Sequence, residues 1–311
     1  MPSVAKSVRS NLAQWLGFIR FSHTIFALPF AGLATVMSYA SPMPSGDRVG
    51  FSIWVIFGVL GCMVFARSAA MAFNRVVDRE IDQKNPRTAN RHLPSGLISV
   101  HSAKAFTVIC SVGFILCTLF FWPNWIPVLF SVPVLCFLCG YSLAKRFTAA
   151  AHVWLGLALS LSPLCVWFAV RGPDSALVLS EWYAPMTLAL GIAAWVTGFD
   201  IIYACQDAEY DAAEGLHSVP AKFGVSGALR LSMVSHGVML LLLLLLPVVA
   251  PVLDLGLIYF VGVGLVSVLV IRQHLLVSAS DLGRVNEAFF NVNAWISMIL
   301  LLFGSADTLL R

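Results

Sequence analysis

Nine apolar runs constrain this chain more than any other feature. They fall at 17–40, 51–73, 103–121, 125–143, 149–170, 183–199, 228–249, 255–271 and 288–305. Each comes near the roughly 20 apolar residues that carry an α-helix across a bilayer. Within lipid every backbone N–H and C=O must be satisfied internally, which leaves helices and closed barrels. The short alternating strands that build a barrel are absent. Hydrophobic residues make up 59% of the chain and charged residues 11%, against about 25% charged in a soluble globule. The sequence therefore predicts an all-α integral membrane protein, a nine-transmembrane-helix bundle. No linker or low-complexity tract divides it, so residues 1–311 read as one polytopic domain with membrane lipid around it. No nucleic-acid partner is expected.

With nine spans the termini lie on opposite sides. Every Lys and Arg except Arg48, Arg171 and Arg311 falls at one end of the spans. Basic residues mark the cytoplasmic side, so the N-terminus is expected in the cytoplasm of a multi-pass inner-membrane protein. Lys6 and Arg9 precede an apolar stretch, Leu16 to Tyr39, that is too long for a signal-peptide core of about 7–15 residues. It reads as the first span. Seven cysteines lie nearly all inside apolar runs and behave as small hydrophobes.

Two polar stretches break the pattern, NRVVDREID at 74–82 and DIIYACQDAEYD at 200–211. Both belong to the predicted cytoplasmic end. No Gly or Pro lies between Ser68 and Asn85, so the second span is expected to continue as helix past Asp82 until Asn85-Pro86 stops it. Asn74, Asp78 and Asp82 then drift by about 80° in total and share one side, with Glu80 turned away. Asp200, Asp207 and Asp211 fall within roughly 40° of one another on a continuous helix, and Gly215 signals its end. The stretches read as two half-sites facing one cytoplasm-facing cavity. Glu80, Glu209 and Glu214 read as a solvated collar.

A collar of charge is the ordinary use of acids at a span end. Stacked like charges at i, i+4 destabilise a helix, however, and carboxylates near lipid are costly, so a cation is expected among them. Mg²⁺ accepts carboxylate oxygens and typically takes one or two with substrate phosphates. Two facing carboxylate sets suit bridging Mg²⁺ ions and a diphosphate, with Lys and Arg at the rim.

These stretches resemble the signatures of the UbiA-type membrane prenyltransferases. NRVVDREID followed by RTANRHLPSG is similar to the first, and DAEYD within YACQDAEYDAAEGLHSVPAKFG to the second. YSLAKRFT at 141–148 resembles the family's Tyr-x-x-x-Lys-Arg-x-Thr segment. Arg75 stands where the family usually has an acid, and Ser142 where it has a proline. With FIRFSHTIFALPFA and GFDIIYACQD, Arg75 resembles a branch described as 4-hydroxybenzoate polyprenyltransferases. It resembles still more the enzymes that prenylate a dihydroxynaphthoate, 1,4-dihydroxy-6-naphthoate, on the futalosine route to menaquinone.

The resemblance implies Mg²⁺-dependent transfer of a polyprenyl group from polyprenyl diphosphate to an aromatic acid in quinone biosynthesis. Asn74, Asp78, Asp82, Asp207 and Asp211 would hold Mg²⁺. Arg75, Arg79, Arg91, Lys145, Arg146 and Lys222 form the pool of cations for the phosphates. Tyr141 and Tyr203 would flank the allylic cation, and Asp200 would take the ring proton. Arg20 and His23 are candidates for the acceptor carboxylate, with interfacial anchoring the alternative, and Arg67 would reach the same cavity. His152, His236 and His274 read as isolated, packed residues. A transporter would carry ionisable residues at mid-span, where this chain has almost none. A CDP-alcohol phosphotransferase would show a DG start and an AR pair before its later acids, and neither stretch does.

Overall fold

A computed structural model of the protein describes residues 13–20 and 24–311. Lys6, Arg9 and His23 lie outside the described residues. Among those described there are helices and no strands. A short helical stretch at 13–18 precedes α1 (Thr24–Ala40), α2 (Ile53–Val77) and α3 (Arg79–Lys84). Then come α4 (Val100–Cys117), which tightens into a 3₁₀ turn at Thr118–Phe121, α5 (Ile126–Ala144) and α6 (Ala151–Arg171). The chain continues through α7 (Ser180–Ala204), α8 (Ala208–Ala213), α9 (Val219–Val249) and α10 (Leu257–Leu275). A π-turn at Glu287–Val292 leads into α11 (Asn293–Leu310).

Eight segments are long and apolar enough to cross a membrane, and the shorter apolar helix Ala27–Ala40 makes a ninth element of the bundle. The expected runs at 183–199 and 255–271 are two of the eight, inside Ser180–Ala213 and Leu257–Leu275. The first run is interrupted. The 13–18 helix ends in a turn at Arg20, whose φ is +46°, and α1 starts afresh at Thr24.

α7 is the central post, with Trp195, Val196, Ile201 and Ile202 fully buried, and α6 and α9 on either side of it. Backbones approach closely through small residues. A Cβ on Gly156 would meet the Ala193 carbonyl of α7, and one on Gly198 would meet the His236 ring of α9. Ser232 of α9 donates to the Gly198 carbonyl at 2.7 Å. His236 is not isolated: its Nδ1 lies 2.8 Å from His274 Nε2, tying α9 to α10.

At the end away from the acids, Arg171 and Glu181 form a buried ion pair. The Arg171 guanidinium also donates to the carbonyls of Ser38, Ser41 and Pro42 at the end of α1. All five N–H groups of Arg171 are thereby used, and Glu181 Oε2 also accepts from Trp167 Nε1 at 3.2 Å, which is what makes such a buried pair tolerable. It locks α1, α6 and α7 together at that face.

Candidate active site

Both acid segments are helical, but neither continues straight. α2 ends at Asp78, whose φ and ψ are −88° and 5°. The Asp78 N–H still bonds the Asn74 carbonyl at 2.9 Å, and Asp82 N–H bonds the Asp78 carbonyl at 2.7 Å. The result is a bend between α2 and α3, not one uninterrupted helix. α3 stops at Asn85 as the Asn-Pro step requires, and the Asn85 side chain caps the next turn by accepting from Arg87 N–H at 2.9 Å.

The second segment is also interrupted. Between α7 and α8 the residues Cys205–Asp207 wind as 3₁₀, which advances about 20° more per residue than α-helix. Asp207 is thereby turned by about 60° relative to a continuous α-helix. Asp200 lies 2.6 Å from His152 Nδ1, and His152 Nε2 accepts from Val219 N–H. Asp200 is thus engaged by His152, and His152 is paired, not isolated. α8 does end as expected: Gly215 has φ +67°, and Leu216 N–H bonds the Asp211 carbonyl at 2.8 Å.

The two segments meet. Tyr210 Oη donates to the Ile81 carbonyl at 2.8 Å, and Lys84 Nζ pairs with Glu214 at 2.9 Å. His217 N–H donates to the Lys145 carbonyl at 2.7 Å, which brings the end of α5 into the same corner.

Each carboxylate between them has its own cation. Asp78 accepts from Arg146 at 3.0 Å and from Asn74 Nδ2 at 2.8 Å. Asp82 is buried, 2.6 Å from Arg91 and 3.9 Å from Arg75. Asp207 takes both Arg87 Nε, at 2.8 Å, and Arg87 Nη2, with Asn85 Nδ2 at 3.0 Å. Asp211 is buried, 3.8 Å from Lys145 Nζ, whose charge also reaches Asp78 and Asp207. Burial and the neighbouring Asp82 raise the Asp78 carboxyl above the usual range, against the opposing pull of Arg146 and Lys145.

The tyrosines take different places. Tyr141 lies among the charges of Asp78, Arg75 and Arg67. Tyr203 is occupied by cations of the protein itself: Arg87 donates to its Oη at 3.0 Å and lies 5.2 Å over its ring, and Arg20 reaches the same oxygen at 3.5 Å. Its other neighbours are Phe289 and Phe290.

Two cations from the expected pool lie apart. Arg79 pairs with exposed Glu80 and lines a surface groove of about 420 Å³ with Lys104 and Arg146. Lys222 is exposed, over the Phe223 ring. Arg75 answers Asp82, not Asp78 or an open aromatic pocket.

Asn85 and Arg87 were invisible as site residues in the sequence, where Asn85-Pro86-Arg87 reads as a helix stop. The available signal was a third run of cations directly behind the first acid set. Arg67 lies two turns below Asn74 on α2 and is half-buried. Its Nε is buried without a hydrogen-bond partner, and it has no ion pair among the described residues.

The donor set fits a hard divalent cation by chemistry. Asp82 Oδ2 and Asp211 Oδ2, one on each segment, are buried without hydrogen-bond partners. Among the described residues, however, no three acid or histidine donors stand close enough to enclose an ion. Each carboxylate is drawn towards its own cation.

Residues 18–298 match the UbiA prenyltransferase family. A 4-hydroxybenzoate octaprenyltransferase of Xanthomonas oryzae pv. oryzae (strain PXO99A) is 30% identical over 252 residues, 80% of this chain and 78% of the relative. Among solved structures, the apo form of a UbiA homolog from Aeropyrum pernix K1 is 31% identical, with a TM-score of 0.77, covering 90% of this chain and 96% of that one. A UbiA homolog from Archaeoglobus fulgidus bound to GPP and Mg²⁺ shares the fold at 16% identity, with a TM-score of 0.65 over 95% of this chain and 99% of its own.

Proposed function

From the premise that this chain belongs to the UbiA prenyltransferase family, we propose that its paired acid segments transfer a polyprenyl group from its diphosphate to 4-hydroxybenzoate. Prenyl transfer in a membrane follows from the family. The acceptor rests on the name of the 30% identical relative. The observation that carries the site is the meeting of Asp78, Asp82, Asp207 and Asp211 with Arg146, Arg91, Arg87 and Lys145 at one end of the bundle.

Asn74 and the four carboxylates are the residues that would hold Mg²⁺. When bound, Mg²⁺ supplies Lewis-acid neutralisation of the leaving diphosphate. Lys145, Arg146, Arg87 and Arg91 donate to its oxygens, with charge-assisted bonds that strengthen as the allylic C–O bond breaks. Arg67 takes the acceptor's carboxylate, since it is a half-buried cation whose buried Nε is unused and which has no acid of its own among the described residues. The ring carbon beside the phenol oxygen then forms the new C–C bond, and its proton leaves to a carboxylate. Tyr141, next to Arg67 and Asp78, lies between the acid's anchor and the acids. The basic residues at this end put it in the cytoplasm. The dihydroxynaphthoate alternative rests on Arg75, which is buried 3.9 Å from Asp82 Oδ2, and the two acceptors are separated by the assay below.

The test is direct. Purified protein in lipid with Mg²⁺, octaprenyl diphosphate and 4-hydroxybenzoate should yield the prenylated acid by mass. Incubation with 1,4-dihydroxy-6-naphthoate should yield much less. Full turnover in excess chelator overturns the metal assignment. A preference for the naphthoate overturns the acceptor.

A further inference from the structure

Arg87 is the cation that fits the family's chemistry least simply. It is not a loose rim residue. Its Nε and Nη2 grip both oxygens of Asp207, its Nη1 donates to Tyr203 Oη, and its guanidinium lies over the Tyr203 ring. Asp207, one of the proposed metal ligands, is thereby fully engaged before any metal arrives. The same holds in weaker form at Asp78, Asp82 and Asp211, so four carboxylates face Arg146, Arg91, Arg87 and Lys145, with Arg75 as a fifth cation.

We infer that Arg87 is a resident counterion that exchanges between partners. In the metal-free protein it stands in for the metal on Asp207, and it moves to a phosphate oxygen when the divalent cation takes Asp207. Tyr203 is its pivot, because the Oη bond and the ring contact do not depend on Asp207 and hold the guanidinium through the swing. This deepens the proposed function and rests on its metal–diphosphate site.

The physical consequence is coupling between the two ligands. Metal alone must expel Arg87 from a two-point ion pair and leave its guanidinium, whose side chain is 29% exposed, without a carboxylate partner. Diphosphate alone brings its charge against four carboxylates that keep their own cations. Together each ligand supplies what the other displaces: the metal neutralises Asp207 and the diphosphate receives Arg87. Linkage then requires that each tighten the other's binding by the same factor.

The exchange predicts effects of opposite sign from one substitution. The probes are Mn²⁺ alone, and an inert prenyl thiolodiphosphate with and without saturating Mn²⁺. Binding is measured on the full-length protein in lipid nanodiscs. In the wild type, the thiolodiphosphate should bind about tenfold or more tightly with Mn²⁺ than without. Arg87→Gln removes the competitor for Asp207, so Mn²⁺ alone should bind about tenfold more tightly. It also removes a phosphate partner, so the thiolodiphosphate should bind about tenfold more weakly in Mn²⁺. Arg87→Lys, which keeps the charge but cannot bridge both oxygens, should fall between and serves if the Gln variant does not fold.

Unchanged or weakened Mn²⁺ binding in Arg87→Gln, or in Arg87→Lys if that is the variant that folds, overturns the exchange while leaving the metal–diphosphate site standing. Failure of wild-type protein to bind Mn²⁺ even with the thiolodiphosphate, or retention of that binding in Asp207→Asn, overturns the site and the exchange with it.

Discussion

Arg67 sits two helical turns below Asn74, beside Tyr141 and without a carboxylate to pair with among the described residues. Its buried, unpartnered Nε is costly to leave unpaired, so an anionic acceptor is the group that completes it. Arg67→Gln should raise the apparent KM for 4-hydroxybenzoate by about tenfold or more, the worth of one charge-assisted bond. The KM for the prenyl diphosphate should stay within about twofold. Steady-state titration of each substrate checks this, and equal rises in both would return Arg67 to a purely structural role. Asp78→Asn and Asp207→Asn should instead each lower kcat by about a hundredfold or more, read by product mass with expression unchanged. The grouping of Asp78 with Asp82 and of Asp207 with Asp211 at one end of the bundle was legible from their i, i+4 spacing. Arg87 was not, because its meaning lies in Asp207, which is 120 residues away in sequence. The same limit hid the His152–Asp200 and His236–His274 pairs, since helical spacing relates residues on one helix and says nothing of which helices adjoin.

The apolar runs predicted the helices well, including the two shortest, because length and composition decide whether a segment crosses lipid. What escaped was the winding inside the acid segments. The bend at Asp78 and the 3₁₀ turn at Cys205–Asp207 carry no Gly or Pro to announce them. Side-chain bonds accompany them, Asn74 to Asp78 within the first segment and Arg87 to Asp207 between the two. Helix contacts give a prediction at this scale. A methyl on Gly198 would lie 2.5 Å from His236 Nε2, whereas one on Gly237 of the same bundle meets nothing within 4 Å. Gly198→Ala should therefore separate α7 from α9 and cost about 1–3 kcal/mol as overpacking. Gly237→Ala should be neutral or slightly stabilising, since Ala favours helix. Thermal unfolding of both in the same detergent makes the comparison, and equal midpoints would mean that α9 moves aside freely.

For the molecule as a whole, the number of crossings turns on α1. Its 17 residues span about 26 Å as helix, slightly under the roughly 30 Å of hydrocarbon, and its apolar part is shorter than the other spans. Length alone leaves α1 at the margin, but its anchors decide. Just before it, Arg20 reaches Tyr203 beside the acids. At its other end Ser38, Ser41 and Pro42 are held by Arg171, which closes α6 at the face opposite Ala151 and Lys145. The chain from Arg20 to Ser41 therefore passes from the acid-bearing end to the other, and α1 crosses. At the C-terminus, Asp307 of α11 accepts from Gly256 and Ile258 N–H, at the start of α10. That start lies at the Arg171 face, because α9 runs away from the acids. These anchors predict nine crossings, with the 42–50 loop and the C-terminus on one side and the 74–102 loop on the other. Reporters at 45 and after Arg311 should then give the same extracytoplasmic signal, and one in the 74–102 loop the cytoplasmic signal. If the C-terminal reporter sides with the 74–102 loop instead, α11 or α10 does not cross. If only the reporter at 45 does, α1 is a re-entrant helix and the Arg171 clamp reaches into the bilayer to meet it.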